Sequence, residues 1–137
     1  MSDPIAFEVA LAGDYDSALE RVTAALKAEG FGILTRIDVH TTLKEKIDVE
    51  FRPYAILGAC NPRLAHRALS HDAEVGLLLP CNVTVEVAPG GKGCIARIAD
   101  PKKMMSAGRF GDDATLASVA QEARDRLARV AAALRGD

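Results

Sequence analysis

Apolar and polar positions along this chain recur with two periods, and the switches between them mark nine elements. Residues 5–11 alternate strictly, with Ile5, Phe7, Val9 and Leu11 on one side and Ala6, Glu8 and Ala10 on the other. That is the pattern of a strand with one buried face. Gly13-Asp14 breaks it. Ala18, Leu19, Val22, Ala25 and Leu26 then recur at helical spacing. Asp14 or Asp16 can cap this helix, which runs to about Glu29, and Gly30 is a natural stop. Residues 31–37 read as a second strand. A short helix is predicted near 42–48, where Thr42 and Glu45 have capping-box spacing.

Residues 53–60 form an almost continuous apolar run, which predicts a strand covered on both faces. Gly58 within it permits close approach of another segment. Asn61-Pro62 predicts a helix start, with Asn at the N-cap and Pro at N1, running to about Ser70. Leu64, Ala65, Ala68 and Leu69 would face inward. The longest strand signal covers 75–88, where Val75, Leu77, Leu79, Cys81, Val83, Val85 and Val87 share the odd face. Pro80 implies an edge or a bend within it. Pro89-Gly90-Gly91 is a hairpin turn, and 93–99 is the partner strand. Residues 100–112 read as a loop long enough to cover a pocket. A last helix over 113–135 carries Leu116, Val119, Ala120, Ala123, Leu127, Val130, Ala131 and Leu134 as its inner stripe. Glu122–Arg126 and Asp125–Arg129 would pair on its outer side.

The order β-α-β-α-β-α-β-β-α, closed by a hairpin, argues against an all-parallel sheet. It predicts an α+β, two-layer fold with a mixed, mostly antiparallel sheet and helices packed on it. A length of 137 residues suits one domain over 1–137. Tryptophan is absent and aromatic residues are few, so the core must be aliphatic.

The formal net charge of −2 comes with scattered basic residues, which excludes a phosphate-backbone footprint. No nucleic acid or membrane partner is therefore expected. The first residues show no signal-peptide pattern, and no apolar run approaches the ~20 residues that span a bilayer. The chain reads as cytoplasmic. Its three cysteines, an odd count, read as reduced thiols rather than a disulfide framework.

The candidate chemistry centres on a doubled dipeptide, Cys60-Asn61 and Cys81-Asn82. Cys60 precedes a helix N-terminus, whose partial positive charge favours thiolate. It reads equally as a small buried strand-end residue. Cys81 shares the core-facing alternation, unless a bend at Pro80 turns it toward Cys60. A soft-metal site at Cys60 and Cys81 and a thiol pair at the same residues are both open readings. A spacing of 21 residues is no CxxC signature. Cys94 reads as core.

Asn61 and Asn82 could orient a ligand. Arg36 could bind a carboxylate or phosphate, or pair with Asp38. Met104-Met105 could supply soft copper ligands or fill a core gap. His40, His66 and His71 form no metal motif, and no nucleophile elbow or phosphate loop is present. Glu86 and Asp100 read as hairpin-edge residues. Three functions follow: a small-ligand or soft-metal binding module, a homodimeric interaction module using the sheet or an Ala128–Ala131–Ala132–Ala133 helix face, and a thiol-redox protein.

Several stretches are specific enough to suggest a family. They are Gly30-Phe31-Gly32-Ile33-Leu34-Thr35-Arg36-Ile37-Asp38, Leu43-Lys44-Glu45-Lys46, Phe51-Arg52-Pro53-Tyr54 and Ile56-Leu57-Gly58-Ala59-Cys60-Asn61-Pro62. Leu64-Ala65, Ala68-Leu69 and Gly76-Leu77-Leu78-Leu79-Pro80-Cys81-Asn82-Val83 complete the pattern. On these the chain resembles the "domain of unknown function 302" family of bacterial and archaeal proteins. The resemblance implies a compact α+β domain with a TATA-binding-protein-like layout of sheet and helices, and homodimers. It implies no activity and no catalytic residue.

Overall fold

The computed structural model describes residues 4–136. Five strands within them form one sheet: β1 (Ala6–Leu11), β2 (Gly32–Asp38), β3 (Tyr54–Cys60), β4 (Cys81–Val87) and β5 (Cys94–Ala99). Their spatial order is β1-β5-β4-β3-β2. All four pairings are antiparallel, so the sheet carries no parallel pair among the described strands. The helices are α1 (Tyr15–Ala28), α2 (Val39–Ile47), α3 (Pro62–His71), the single turn α4 (Pro101–Met104) and α5 (Ala114–Arg135). The fold is α+β, as the element order predicts.

β1 and β2 are consecutive in the chain yet form opposite edges of the sheet. α1 bridges them. Its 14 residues make a helix about 21 Å long, and four inter-strand steps of about 4.8 Å span a similar width. Asp14 caps α1 by accepting from the Ser17 amide at 2.8 Å. Gly30 follows its end at φ 86°, a conformation that favours glycine.

α1 and α3 both pack on α5, and α1 and α5 also pack on strands. The layer they form covers one face of the sheet. That face contributes Val9 and Leu11, Ala55, Leu57 and Ala59, Val83 and Val85, and Ala96 and Ile98, all nearly inaccessible. The eight predicted inner residues of α5 are the eight it buries. Its outer side differs in one respect. Arg126 lies 3.5 Å from Glu122, but Arg129 pairs with Glu29 at 2.9 Å, and Asp125 accepts from Gln121 instead. Ala131 is buried, so the four alanines of the 128–133 segment do not form one outward face.

Among the described residues, no helix layer covers the other sheet face. β3 is therefore covered by helices on one side only, with Tyr54, Ile56 and Cys60 half-buried on the other. Gly58 is the exception there. A Cβ on it would meet Thr35 Oγ1 and would stand 2.7 Å from Pro80 Cγ, so the ring of Pro80 lies against β3 where glycine leaves room.

The long strand expected over 75–88 is really two elements. Residues Ala73–Leu78 form a 3₁₀ turn, the Leu79–Pro80 peptide is cis, and β4 starts at Cys81. Asp72 begins the turn by accepting from the Glu74 amide at 3.0 Å. A 3₁₀ turn has three residues per turn, so Val75 and Leu78 share its inward side. Val75 is buried, Leu78 packs on the core, and Leu77 is 83 % exposed. The period-two alternation of Val75, Leu77 and Leu79 was a coincidence of composition.

Two smaller expectations are also corrected. α2 starts at Val39, and its N-cap Asp38 makes no side-chain cap bond. That carboxylate is occupied elsewhere, accepting from the Tyr15 hydroxyl at 2.8 Å and from Arg36 at 3.0 Å. Leu69, expected inward on α3, is exposed.

Candidate functional site

Cys60 ends β3 and Cys81 begins β4, on neighbouring strands. The register sets Ala59 opposite Cys81 and Gly58 opposite Asn82. Cys60 and Cys81 are therefore one residue out of register. Strand spacing and rise put such Cα atoms about 6 Å apart. By the pleat, Cys81 shares the helix-covered face with Val83 and Val85, and residue 60 belongs to the other face. The strand ends at Cys60, however, where the chain turns into α3.

Asn61 makes that turn. Its Oδ1 accepts from the Leu64 amide at 3.2 Å, and Pro62 occupies the first helical turn. Asn61 is thus committed to capping.

Both thiols line one small, almost wholly apolar cavity of about 40 Å³. Phe31 and Leu64, Val119 of α5, and Met105 share it. Burial first, and the neighbouring Cys60 second, push the Cys81 thiol up to about 11, so it is protonated at neutral pH. Cys94 is elsewhere, in the core opposite Leu11 and Val87. Burial and the charge of Asp14 push its thiol up as well. All three cysteines are free thiols.

A larger pocket of about 360 Å³ adjoins the small one. Leu79, Pro80, Cys81, Pro101 and Met105 line both, so this strip separates the two spaces. Asn82, Thr84, Tyr54 and Arg97 bring an amide, two hydroxyls and a guanidinium to the larger one. Ile5, Leu78 and Met104 give it an apolar wall. The 100–112 segment does line both pockets, through a short helix rather than an open loop.

A ladder of charges crosses the uncovered sheet face beside this pocket. Arg97 bonds to Glu8 at 2.8 Å and to Glu86, and Arg52 bonds to Glu86 at 2.6 Å. Arg52 also stacks over Phe51, 4.5 Å from its ring centre. Glu86 is therefore no hairpin-edge residue: it is 4 % exposed. Burial alone would raise its pKa. The hydrogen bonds from Arg52 and Arg97 outweigh burial and hold the carboxyl below the usual range. Asp100 is likewise buried, capping α4 and pairing with Arg124 at 3.0 Å.

Arg36 lines neither pocket. It lies on edge strand β2 and pairs with Asp38. Burial and the Asp38 hydrogen bond push the Tyr15 hydroxyl up, and His40 meets the Tyr15 ring edge-on at 5.5 Å. His40 Nδ1 accepts from the Tyr54 amide at 3.1 Å. These groups tie α1, β2, α2 and β3 together. His71 pairs with Asp113 at 2.7 Å, and His66 is exposed. Among the described residues, no three His, Cys, Asp or Glu side chains are grouped to hold a metal ion, and no helix is long and apolar enough to cross a membrane.

Sequence reasoning missed Tyr54, Thr84 and Arg97 as pocket residues. They sit at alternate polar positions of strands, and only the pairing of β3, β4 and β5 puts them side by side.

A five-stranded antiparallel sheet with helices on one face and a pocket at a strand end define a small α+β domain. The chain belongs to the family described as "Domain of unknown function DUF302", whose model matches residues 7–134. It is similar to the crystal structure of an uncharacterized conserved DUF302 protein from Bacillus stearothermophilus. The two are 29 % identical with a TM-score of 0.81, over 92 % of this chain and 94 % of that one. No curated protein matches the chain.

Proposed function

We propose that this domain binds a small, mostly apolar molecule with a neutral hydrogen-bonding head, in the 360 Å³ pocket beside Cys81 and Asn82. The observation that carries this is the pocket itself. Its size falls in the range of small-molecule sites, about 300–1,000 Å³, and a few polar groups converge on an apolar wall. The head's neutrality follows from the charge ladder. Glu8 and Glu86 already balance Arg97, so the guanidinium offers no uncompensated charge for a phosphate.

The test is to screen small amphipathic molecules against isotopically labelled protein by NMR. Shifts concentrated at Thr84, Asn82, Ala99 and Met104 are expected, and Ala99→Phe should abolish them by filling the pocket. Hits that shift other regions, or survive Ala99→Phe unchanged, would refute the site.

A homodimer is the second reading. Among the described residues, five of the eight exposed large apolar side chains, Leu34, Ile37, Ile47, Val49 and Phe51, fall within 34–51, on edge strand β2 and the α2 connection. Analytical ultracentrifugation of wild-type and Leu34→Glu protein tests it: a dimer that the substitution dissociates supports this reading, and a monomer at all concentrations ends it.

A further inference from the structure

We infer that Cys60, Cys81 and Met105 form a separate site for one soft monovalent cation of the Cu(I) or Ag(I) class. This goes beyond the small-molecule reading and uses the other pocket.

Three observations converge. The first is the donor set. The sulfur-bearing side chains lining the small cavity come from three different places: the end of β3, the start of β4 and the residue after α4. No carboxylate, imidazole or amine lines it. The one amide there, Asn61, has its oxygen committed to the Leu64 N–H. Hard cations need oxygen ligands, whereas thiolate and thioether suit Cu(I), zinc and iron–sulfur centres. Structural zinc takes four ligands and iron–sulfur clusters four thiolates, so two thiols and one thioether with no imidazole or carboxylate favour the low-coordinate Cu(I) class.

The second is size. A cavity of about 40 Å³ exceeds the ~10–15 Å³ that one water needs and lies far below the roughly 300–1,000 Å³ of small-molecule sites, so it has room for an ion but not for a drug-sized ligand. The third is placement. A regular pleat would send the two side chains to opposite faces, but β3 ends at Cys60 and both residues line the same cavity, with Cα atoms about 6 Å apart. An S–metal–S pair with bonds of about 2.3 Å spans under 5 Å, which that separation accommodates.

Charge is also accommodated. Binding breaks two S–H bonds, forms two S–metal bonds and releases two protons to solvent, with no change in oxidation state when the metal arrives as Cu(I). Two thiolates and one monovalent cation leave one negative charge. Cys60 immediately precedes the N-cap of the ten-residue α3, whose N-terminal dipole favours that charge. Met105 is nearly buried and adds a neutral third donor.

The experiment is anaerobic titration of the reduced full chain with Cu(I) in competition with a chromogenic chelator, followed by X-ray absorption at the copper edge. One equivalent in an all-sulfur shell is expected. Outer-shell changes alone cost 10–100-fold in metal affinity, so Cys60→Ser and Cys81→Ser should each cost more than about 100-fold. Cys94→Ser should leave binding unchanged, and Met105→Leu should lower the sulfur count from three to two while circular dichroism stays native. Nitrogen or oxygen in the wild-type shell, binding that survives Cys60→Ser, or equal losses from Cys94→Ser would each overturn the assignment. So would a Cys60–Cys81 disulfide that persists under reductant and excludes the metal.

Discussion

Cys60-Asn61 and Cys81-Asn82 lie at the same end of adjacent strands, yet they do different work. In the first, the chain is leaving the sheet. Asn61 spends its side chain on the Leu64 amide, and Cys60 marks the border between β3 and α3. In the second, the chain is entering the sheet. Cys81 joins the buried face of β4, while Asn82 is exposed and lines the larger pocket. The same two residues thus give a structural cap in one case and a pocket wall in the other. Their direction relative to the strand decides which.

Substitutions should separate these roles. The largest effect is expected from Gly58→Ala, which attacks the seat of the Cys81-Asn82 segment. Its new Cβ would collide with Thr35 Oγ1 and stand 2.7 Å from Pro80 Cγ. A loss of about 2–3 kcal/mol is expected, in the upper range for overpacking. Urea denaturation measures it, and a loss below 0.5 kcal/mol, on the order of an ordinary surface substitution, would show that Pro80 is free to move away.

Asn61→Ala should come next, at about 1 kcal/mol for a lost cap. Asn82→Ala should change stability by less than about 0.5 kcal/mol, since it is exposed and caps nothing. If the two cost the same, the contrast between the dipeptides fails.

Chemical labelling sharpens the contrast at the thiols. With its pKa near 11, Cys81 is thiolate in only about one molecule in a thousand at pH 8. Iodoacetamide should leave it largely unmodified there and react faster as pH approaches 10. Mass spectrometry of the peptide reads this directly, and rapid labelling at pH 8 would mean that the thiol is not buried against the core.

The smallest effect concerns acid stability of the uncovered face. Glu86 is held below its unfolded value of about 4.5. In that range the unfolded chain binds the proton more readily, so stability rises with pH. The contribution is complete above the unfolded value and is lost as pH falls through the folded one. Glu86→Gln should therefore flatten the decline of melting temperature below pH 4.5. An unchanged acid slope would place the relevant carboxylates elsewhere, for example at Asp38, which Arg36 and Tyr15 hold low against the opposing effect of burial.

The local features of the chain were legible before folding was considered. The α5 stripe, the Asp14 and Asn61 caps and the Gly30 stop each depend on residues within about four positions of one another. Local backbone geometry is enough to determine them. The alternation of β1 and β5 was legible for the same reason, and with it the α+β class; β3 was legible as a strand, but its continuous apolar run suggested cover on both faces where helices cover one. The 73–80 segment was not. Its apolar spacing satisfies period two, but the turn at Asp72 and the packing of Val75 and Leu78 select period three.

The burial of Glu86 was equally hidden. It depends on Arg97, eleven residues away on β5, and Arg52, thirty-four residues away before β3. Both pockets belong to this second class. Their shared walls join β3, β4 and α4, with α3 and α5 closing the smaller pocket and β1 and β5 the larger, and the register that brings the Cα atoms of Cys60 and Cys81 within about 6 Å exists only once strands distant in sequence have paired. The sequence by itself determined the elements whose causes are local, the main helices and most of the strands. The tertiary structure alone decided which side chains face a common space, because that depends on pairings between segments far apart along the chain.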